Sequence, residues 1–161
     1  ENLCACYKSQ YGIDCKIARI AHTYGPGMLL SDGRVVGDFL GNVKNREDIV
    51  MNSDGSGTLA LTYIGDVVAG LFYTLLQFKE MVYNVSNSEE TVTVKQLAET
   101  LCDIFADRGI KLVMHIPKGE KSAGYLSYKL GFLKSDKAMA EGWEPKICLR
   151  DGMKRTMESY E

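Results

Sequence analysis

The sequence predicts a mixed fold of the α/β or α+β class, because short β-prone segments alternate with segments of helical periodicity. The segment CKIARIA at 15–21 is β-prone at its centre and is followed by turn residues, which is typical of a buried strand. Apolar residues then recur at helical spacing from Val35 to Val43, which predicts an amphipathic helix over 34–44. The composition of the 161 residues, 45% hydrophobic and 25% charged, is typical of a soluble globular domain.

The first half of the chain contains two further predicted helices and two further strands. One leucine and two tyrosines at helical spacing predict a helix over 1–11, which Gly12 ends. The segments IVMN and LALTYI predict strands, and the turn residues SDGSG separate them. A helix is predicted over 65–78. Its apolar face is expected to consist of Val67, Val68, Leu71, Phe72, Leu75 and Leu76.

The second half continues the alternation. MVYNVS at 81–86 and KLVMHI at 111–116 predict short strands, and LRDGMKRTMESY predicts a closing helix. Between the last strand and that helix lies a polar, glycine-containing loop without strong periodicity. No internal repeat or linker divides the chain.

Three side chains are predicted to cap helix N-termini. Asp66 stands at the start of the helix over 65–78, and Thr93 with Gln96 has the form of a capping box. Ser135 is expected to cap a short helix that Gly142 ends.

Charge and composition exclude several classes of function. A net charge of −2 gives no electrostatic case for nucleic acid or an anionic membrane surface. No apolar run approaches the ~20 residues that span a bilayer, and the polar start is unlike a signal peptide, so a cytoplasmic location is expected. The five cysteines are scattered and lack zinc-site spacing. They are expected to be reduced and mostly buried, and no metal site is predicted.

The sequence lacks the short motifs of several self-contained enzymes. It contains no Gly-x-Gly-x-x-Gly turn, no Walker loop, no His-Glu-x-x-His and no Gly-x-Ser-x-Gly. Its two histidines lie on different predicted elements. No nucleophile with a neighbouring base is evident, so no catalytic residue is assigned.

Three polar residues near the first predicted strand are candidates for binding. Arg34 follows a glycine at a helix start, where N–H groups and a guanidinium suit a phosphate, but a solvated residue beside a turn gives the same pattern. His22 directly follows the strand, at the position where open α/β sheets bind ligands. The alternative is that its ring only forms hydrogen bonds with the backbone. Arg19 interrupts the strand and needs a partner if it is buried.

Five segments together resemble the C-terminal half of extended short-chain dehydrogenases of the NAD-dependent epimerase/dehydratase family. They occur in that family's order and cover nearly the whole chain, and GPGMLLSDGRVVGDF is especially similar to UDP-glucuronate decarboxylases. The segments are ENLCACYKSQYGIDCKIARIAHTYGPGM, DGRVVGDF, TYIGDVVAGL, YNVSNSEETVTVKQLAE and GWEPKICLRDGMKRT.

The resemblance implies a partial Rossmann-like parallel sheet and a small α/β substrate-binding lobe. Residues 1–21 would be the tail of the Rossmann part, and 22–161 mainly the substrate-binding lobe of a C-terminal fragment without the N-terminal dinucleotide-binding part. The family's catalytic Tyr-x-x-x-Lys and glycine-rich turn would precede residue 1. The fragment is therefore expected to lack both motifs, to be inactive alone and not to bind NAD or NADP.

Position by position, the resemblance also assigns site residues. It places Ile20 and Ala21 near the nicotinamide of NAD or NADP. It assigns substrate contacts to His22, Arg34, Val35, Val36 and Leu59.

Two of these positions depart from the family pattern, and a later loop lacks a further arginine that is usual in the family. His22 replaces a common asparagine, and Leu59 stands where many relatives carry an arginine that binds the diphosphate. Lys129 is a loosely aligned substitute for a second missing arginine. The substrate is therefore expected to be an unusual nucleotide sugar, or a different compound.

The implied function is that of an NAD(P)-dependent nucleotide-sugar epimerase or dehydratase, homodimeric in its full-length form. Two alternatives stay open. One is a non-catalytic ligand-binding module, and the other is a reductase of the same fold that acts on a non-sugar carbonyl compound.

Overall fold

A computed structural model describes residues 1–115 and 132–161, and its helices and strands confirm the mixed α/β class. The predicted helices end within a residue or two of the observed bounds, which is the usual uncertainty at helix termini. The elements are α1 (Asn2–Tyr11), β1 (Ile17–Ile20), β2 (His22–Tyr24), α2 (Val35–Asn45), β3 (Ile49–Met51), β4 (Thr58–Tyr63), α3 (Ile64–Leu76), β5 (Val82–Val85), β6 (Thr91–Thr93), α4 (Val94–Ile104), β7 (Leu112–Met114), α5 (Asp136–Ala140) and α6 (Leu149–Glu158).

The described strands form three small sheets. β1 pairs in parallel with β5, β3 pairs in parallel with β7, and β2 pairs in parallel with β4, which also pairs antiparallel with β6. Parallel neighbours need long crossover connections, which the intervening helices supply. Because β5 lies beside β1, that sheet takes residues from both sides of the predicted boundary at residue 21. The boundary itself stays a prediction.

Two apolar clusters hold these layers together. The larger packs α2, α4 and α6 against β3 and β4, and its fully buried members include Leu40, Leu101 and Met153. The smaller cluster joins β5 to the region around α5. It contains Phe78, Tyr83, Val85, Ala138 and Trp143.

The predicted apolar face of α3 is mostly exposed and is not the buried face of the helix. Of its six residues only Val67 is buried, and Leu76 keeps 69% of its accessible surface. The side that faces the sheet instead carries smaller residues, because at Gly70 an added Cβ atom would lie 2.5 Å from Val85 Cγ1. The buried residues of α3 are Asp66, Val67, Gly70 and Thr74.

One of the three predicted caps is confirmed. The Thr93 hydroxyl accepts from the Gln96 N–H at 3.0 Å, and the Gln96 side-chain oxygen accepts from the Thr93 N–H at 2.8 Å. The Asp66 prediction is wrong, because its carboxylate accepts from the Ile147 N–H at 3.0 Å. Ser135 does precede α5, but its side chain makes no capping hydrogen bond.

The Ser135 hydroxyl instead fixes the end of β5. It accepts from the Ser86 N–H at 2.9 Å and donates to the Ser86 carbonyl at 2.9 Å. Both serines are 1% exposed, yet the Ser86 hydroxyl has no partner among the described residues. The two neighbouring buried hydroxyls are therefore expected to differ in their contribution to the stability of the fold.

Alanine substitutions at these serines should change stability in different ways. We expect Ser135→Ala to lower the free energy of unfolding by about 1–3 kcal/mol, because it leaves the Ser86 N–H and carbonyl unpaired. Ser86→Ala removes a hydroxyl that is desolvated without compensation, so it should be neutral or stabilising. Urea denaturation of both variants measures the difference. Equal losses would show that the Ser86 hydroxyl is satisfied after all.

The prediction that most cysteines are buried is wrong. All five thiols are free, none is fully buried, and Cys6 and Cys148 are exposed. The reason is positional: α1, which carries Cys4 and Cys6, contributes no buried residue, and Cys148 precedes α6 at the surface.

Candidate functional site

A cavity of about 450 Å³ lies where β1 passes into β2. The carboxyl end of a parallel strand is where open α/β sheets bind ligands, and this volume is typical of small-molecule sites. The start of α2, strand β4 and the segment before α5 complete its wall. The described lining residues are Ile20, Ala21, His22, Thr23, Arg34, Thr58, Ala60, Phe132 and Leu133.

Four of the residues predicted to bind ligand lie together in this cavity. Ile20 and Ala21 come from the end of β1, His22 begins β2, and Arg34 comes from the residue before α2. Pairing of β1 with β5 fixes the first two, and the Ala21 N–H donates to the Val85 carbonyl at 3.4 Å. The structure therefore brings His22 and Arg34 to one surface, although a loop separates them in sequence.

Three other predicted binding residues do not line the cavity. Val36 and Leu59 are buried in the larger apolar cluster, and Val35 packs against it. Alternation along β4 explains Leu59: successive side chains point to opposite faces, so Thr58 and Ala60 reach the cavity while Leu59 enters the core. An arginine at position 59 of this chain would have to leave that core to reach a ligand.

Five lining residues were not identified from the sequence. The period of two along β4 could have identified Thr58 and Ala60 once Leu59 was recognised as apolar core. Thr23 follows His22 directly, and its hydroxyl donates to the Ala21 carbonyl at 3.0 Å. No local signal points to Phe132 or Leu133, because they reach the site only through tertiary packing.

The turn before α2 fixes the position of Arg34. Gly33 has φ +77°, a conformation that favours glycine, and it lets the chain reverse between Asp32 and Arg34. One carboxylate oxygen of Asp32 accepts from the Arg34 backbone N–H at 2.9 Å. The other accepts from Nε of the guanidinium at 2.6 Å and lies 2.5 Å from Nη2.

This ion pair sets the charge on the part of the cavity wall that Arg34 forms. The hydrogen bonds from Arg34 lower the pKa of the Asp32 carboxyl, and the carboxylate raises the pKa of the guanidinium. Both groups are thus charged at neutral pH. Among the described lining residues, Arg34 is the only arginine or lysine.

Arg19, the third polar candidate, has an exposed partner. Its guanidinium donates from Nε and Nη2 to the two carboxylate oxygens of Glu1, at 2.7 and 2.6 Å. The side chain is 49% exposed and does not line the cavity in the described structure.

The prediction about the Tyr-x-x-x-Lys motif needs a correction from the sequence itself. That spacing occurs once in the second half, at Tyr125 and Lys129. Both residues, and with them the prediction that Lys129 replaces an arginine, lie outside the described residues.

Residues 1–115 and 132–161 also bear on metal binding and on membrane insertion. No group of three or more histidine, cysteine, aspartate or glutamate residues there is arranged to hold a metal ion. No helix in the same residues combines the length and the apolar character that crossing a bilayer requires.

Comparison with known proteins decides the family. The model of the NAD dependent epimerase/dehydratase family matches residues 1–86, more than half of the chain. The chain belongs to this epimerase/dehydratase family. The match includes β1, β2, α2, β4, α3 and β5, and so it covers seven of the nine residues that line the cavity.

Relatives in sequence and structure agree with this assignment. The epimerase/dehydratase chain is 33% identical to UDP-glucuronic acid decarboxylase 6 of Arabidopsis thaliana over 99% of its own length and 45% of that relative's. It matches the structure of UDP-glucose 4-epimerase from Thermotoga maritima with a TM-score of 0.74 and 27% identity, covering 97% of this chain and 48% of that one. UDP-N-acetylglucosamine 4-epimerase from Methanobrevibacter ruminantium has the same fold, with a TM-score of 0.80, 16% identity, and coverage of 99% and 50%.

The chain spans about half the length of the curated relatives it matches. The family and the fold of this epimerase/dehydratase chain are thus established.

Proposed function

We propose that this chain is the substrate-binding part of an NAD(P)-dependent nucleotide-sugar epimerase or dehydratase, at the C-terminal end of a longer, homodimeric polypeptide. The observation that carries the proposal is one cavity that collects the end of β1, His22 and the guanidinium of Arg34. Membership of the family supports it, as do relatives that are named as UDP-sugar enzymes.

The ligand's negative charge would be bound at the start of α2. Arg34 supplies guanidinium N–H donors there, and a helix N-terminus adds a partial positive charge, so a diphosphate is the expected group. Thr58 offers a hydroxyl on the neighbouring wall. His22 lies where a sugar would extend toward β1 and can orient a hydroxyl through either ring nitrogen.

The nicotinamide end of NAD(P) would lie against Ile20 and Ala21. Ile20 is 46% exposed and lines the cavity, so it offers an apolar surface on which a flat ring can pack. The sequence has no Gly-x-Gly-x-x-Gly turn, so most of the dinucleotide would be bound by another part of the polypeptide. When bound, the cofactor supplies hydride acceptance. The residues of this chain orient the sugar and exclude water from one side.

Replacement of Arg34 tests the site. We expect Arg34→Ala to weaken the binding of UDP about 10-fold or more, because a charged hydrogen bond contributes roughly 1.5–3 kcal/mol. Isothermal titration calorimetry of the 161-residue chain with UDP measures the loss. Arg155→Ala is the matched control, since Arg155 is exposed on α6 and does not line the cavity. Equal affinity of the Arg34 variant and the unaltered chain would contradict the proposed anion site.

A turnover assay tests the proposal that this chain supplies only the substrate-binding part of the enzyme. The chain alone, mixed with NAD and UDP-glucose or UDP-glucuronate, should form no NADH and no new sugar, because the cofactor's glycine-rich turn is not in its sequence. Turnover by the isolated chain would overturn the proposal that it is only the substrate side.

One observation favours the second candidate, a reductase that acts on a non-sugar carbonyl compound. Apart from Arg34 and His22, the described cavity wall consists of apolar and threonine side chains, and Leu59 faces away from it. A ligand with fewer charges than a nucleotide diphosphate would fit such a wall. Calorimetry that detects no UDP binding to the unaltered chain would favour this candidate, or the non-catalytic ligand-binding module.

A further inference from the structure

Asp32 holds the guanidinium of Arg34 from one side only. Its carboxylate accepts from Nε at 2.6 Å and lies 2.5 Å from Nη2, and no described residue accepts a hydrogen bond from Nη1. A guanidinium has five N–H donors and can form two parallel hydrogen bonds along a second edge. The edge formed by Nη1 and the remaining Nη2–H is therefore the one left to a ligand in the cavity that Arg34 lines.

Asp32 is fixed more firmly than the arginine it binds. Its side chain retains 17% of its accessible surface, compared with 58% for Arg34. The turn also holds it, since one oxygen accepts from the Arg34 backbone N–H and Gly33 has φ +77°. The turn therefore holds the Asp32 carboxylate in place, and this carboxylate in turn restricts the long side chain of Arg34.

Two opposite effects on an anionic ligand follow from this arrangement. Asp32 repels a second anion, and it also removes the conformational freedom that Arg34 would otherwise lose on binding. The repulsion is weak because the pair is open to water, where charges are strongly screened. Ordering a long exposed side chain is a substantial cost of binding, so ordering in advance is the larger effect.

We propose that Asp32 is a positioning residue that presents the Nη1–Nη2 edge of Arg34 to an anionic group of the ligand. The inference rests on the proposed function, in which Arg34 binds a phosphate, and adds that the affinity of Arg34 depends on its carboxylate partner. Asp32 makes no contact with the ligand itself.

A double-mutant cycle read by UDP binding tests this role. Asp32→Asn keeps an oxygen for the Arg34 N–H and removes the charge that holds the guanidinium. We expect it to weaken UDP binding about 3- to 10-fold, the range for ordering one long side chain. With Arg34→Ala already present, Asp32→Asn should change affinity by less than about 2-fold, because its effect passes through the missing guanidinium.

Asp54→Asn is the matched control. Asp54 makes a similar local turn, accepting from the Ser56 N–H at 3.0 Å, and it does not line the described cavity. Its replacement should leave UDP affinity unchanged. Circular dichroism spectra of all variants confirm that the fold is kept.

Any other result of the UDP-binding measurements contradicts the proposed role of Asp32. Tighter UDP binding by Asp32→Asn would make Asp32 a competitor of the ligand, and equal weakening with and without Arg34 would make its role purely structural. Unchanged affinity would remove any role. If the unaltered chain does not bind UDP, the proposed function is wrong, and the role inferred for Asp32 is wrong as well.

Discussion

Replacement of Trp143 by alanine should lower the free energy of unfolding by about 3–5 kcal/mol, a loss typical of deleting a buried aromatic side chain. Trp143 is 1% exposed and is the largest fully buried side chain described. Its Nε1 donates to the Asp66 carbonyl at 3.1 Å, and the indole lies against Gly70 of α3. The substitution therefore removes both the packing and a hydrogen bond that join α3 to the segment after α5.

Phe72→Ala is the matched control, since Phe72 is an aromatic residue of α3 with 59% of its surface exposed. It should cost less than about 1 kcal/mol, as most surface substitutions do. Urea denaturation followed by circular dichroism gives both values. If Trp143→Ala does not fold, the smaller change Trp143→Phe should still show a loss. Equal losses at positions 72 and 143 would contradict the assignment of the two faces of α3.

Gly152→Ala should also destabilise the protein, although alanine favours helices over glycine by about 1 kcal/mol. Gly152 lies in α6 against Tyr24, and an added Cβ would be 2.1 Å from the hydroxyl oxygen and 2.8 Å from Cζ. Tyr24 is 2% exposed and packs edge-on against Tyr63, so it cannot move freely. Overpacking of this kind costs about 1–3 kcal/mol, occasionally more.

Two further variants isolate the clash as the cause. Tyr24→Phe in the Gly152→Ala background should recover part of the loss, because it removes the atom nearest the new Cβ. Gly41→Ala in α2 should instead stabilise the protein by roughly 0.5–1 kcal/mol, since its Cβ would lie 3.7 Å from the nearest described atom, the Leu30 carbonyl oxygen. Thermal denaturation of the three variants and the parent protein decides the point. A Gly152→Ala protein as stable as the parent would show that α6 can shift away from Tyr24.

Helix α3 shows which structural features the periodicity of apolar residues can predict and which it cannot. The apolar spacing correctly predicted a helix, and its bounds differ from the observed ones by no more than two residues. The same spacing does not show which face is buried, because the large apolar residues of α3 are mostly exposed. Close approach to Val85 and Trp143 needs a glycine at position 70, so the small residues face the sheet.

Strand β4 and the turn before α2 show which residues of the candidate site the sequence could and could not identify. A resemblance in sequence aligned Leu59 with a ligand-binding position, but alternation along the strand directs its side chain into the core. Arg34 was recognised from its place at a helix start, and it does line the cavity. Its partnership with Asp32 is a local contact that the Ser-Asp-Gly-Arg turn could have suggested.

The sequence by itself determined the order of the helices and of strands β1, β3, β4, β5 and β7, the capping box at Thr93, and the family. These features depend on residues close together in the chain or on patterns shared with relatives. The sequence did not indicate the short strands β2 and β6. Only the tertiary structure decided that β1 pairs with β5, which face of α3 is buried, and that Phe132 shares a cavity with Arg34. Those outcomes depend on the shape and volume of segments distant in sequence, and periodicity, which reflects the geometry of one backbone segment, carries no information about them.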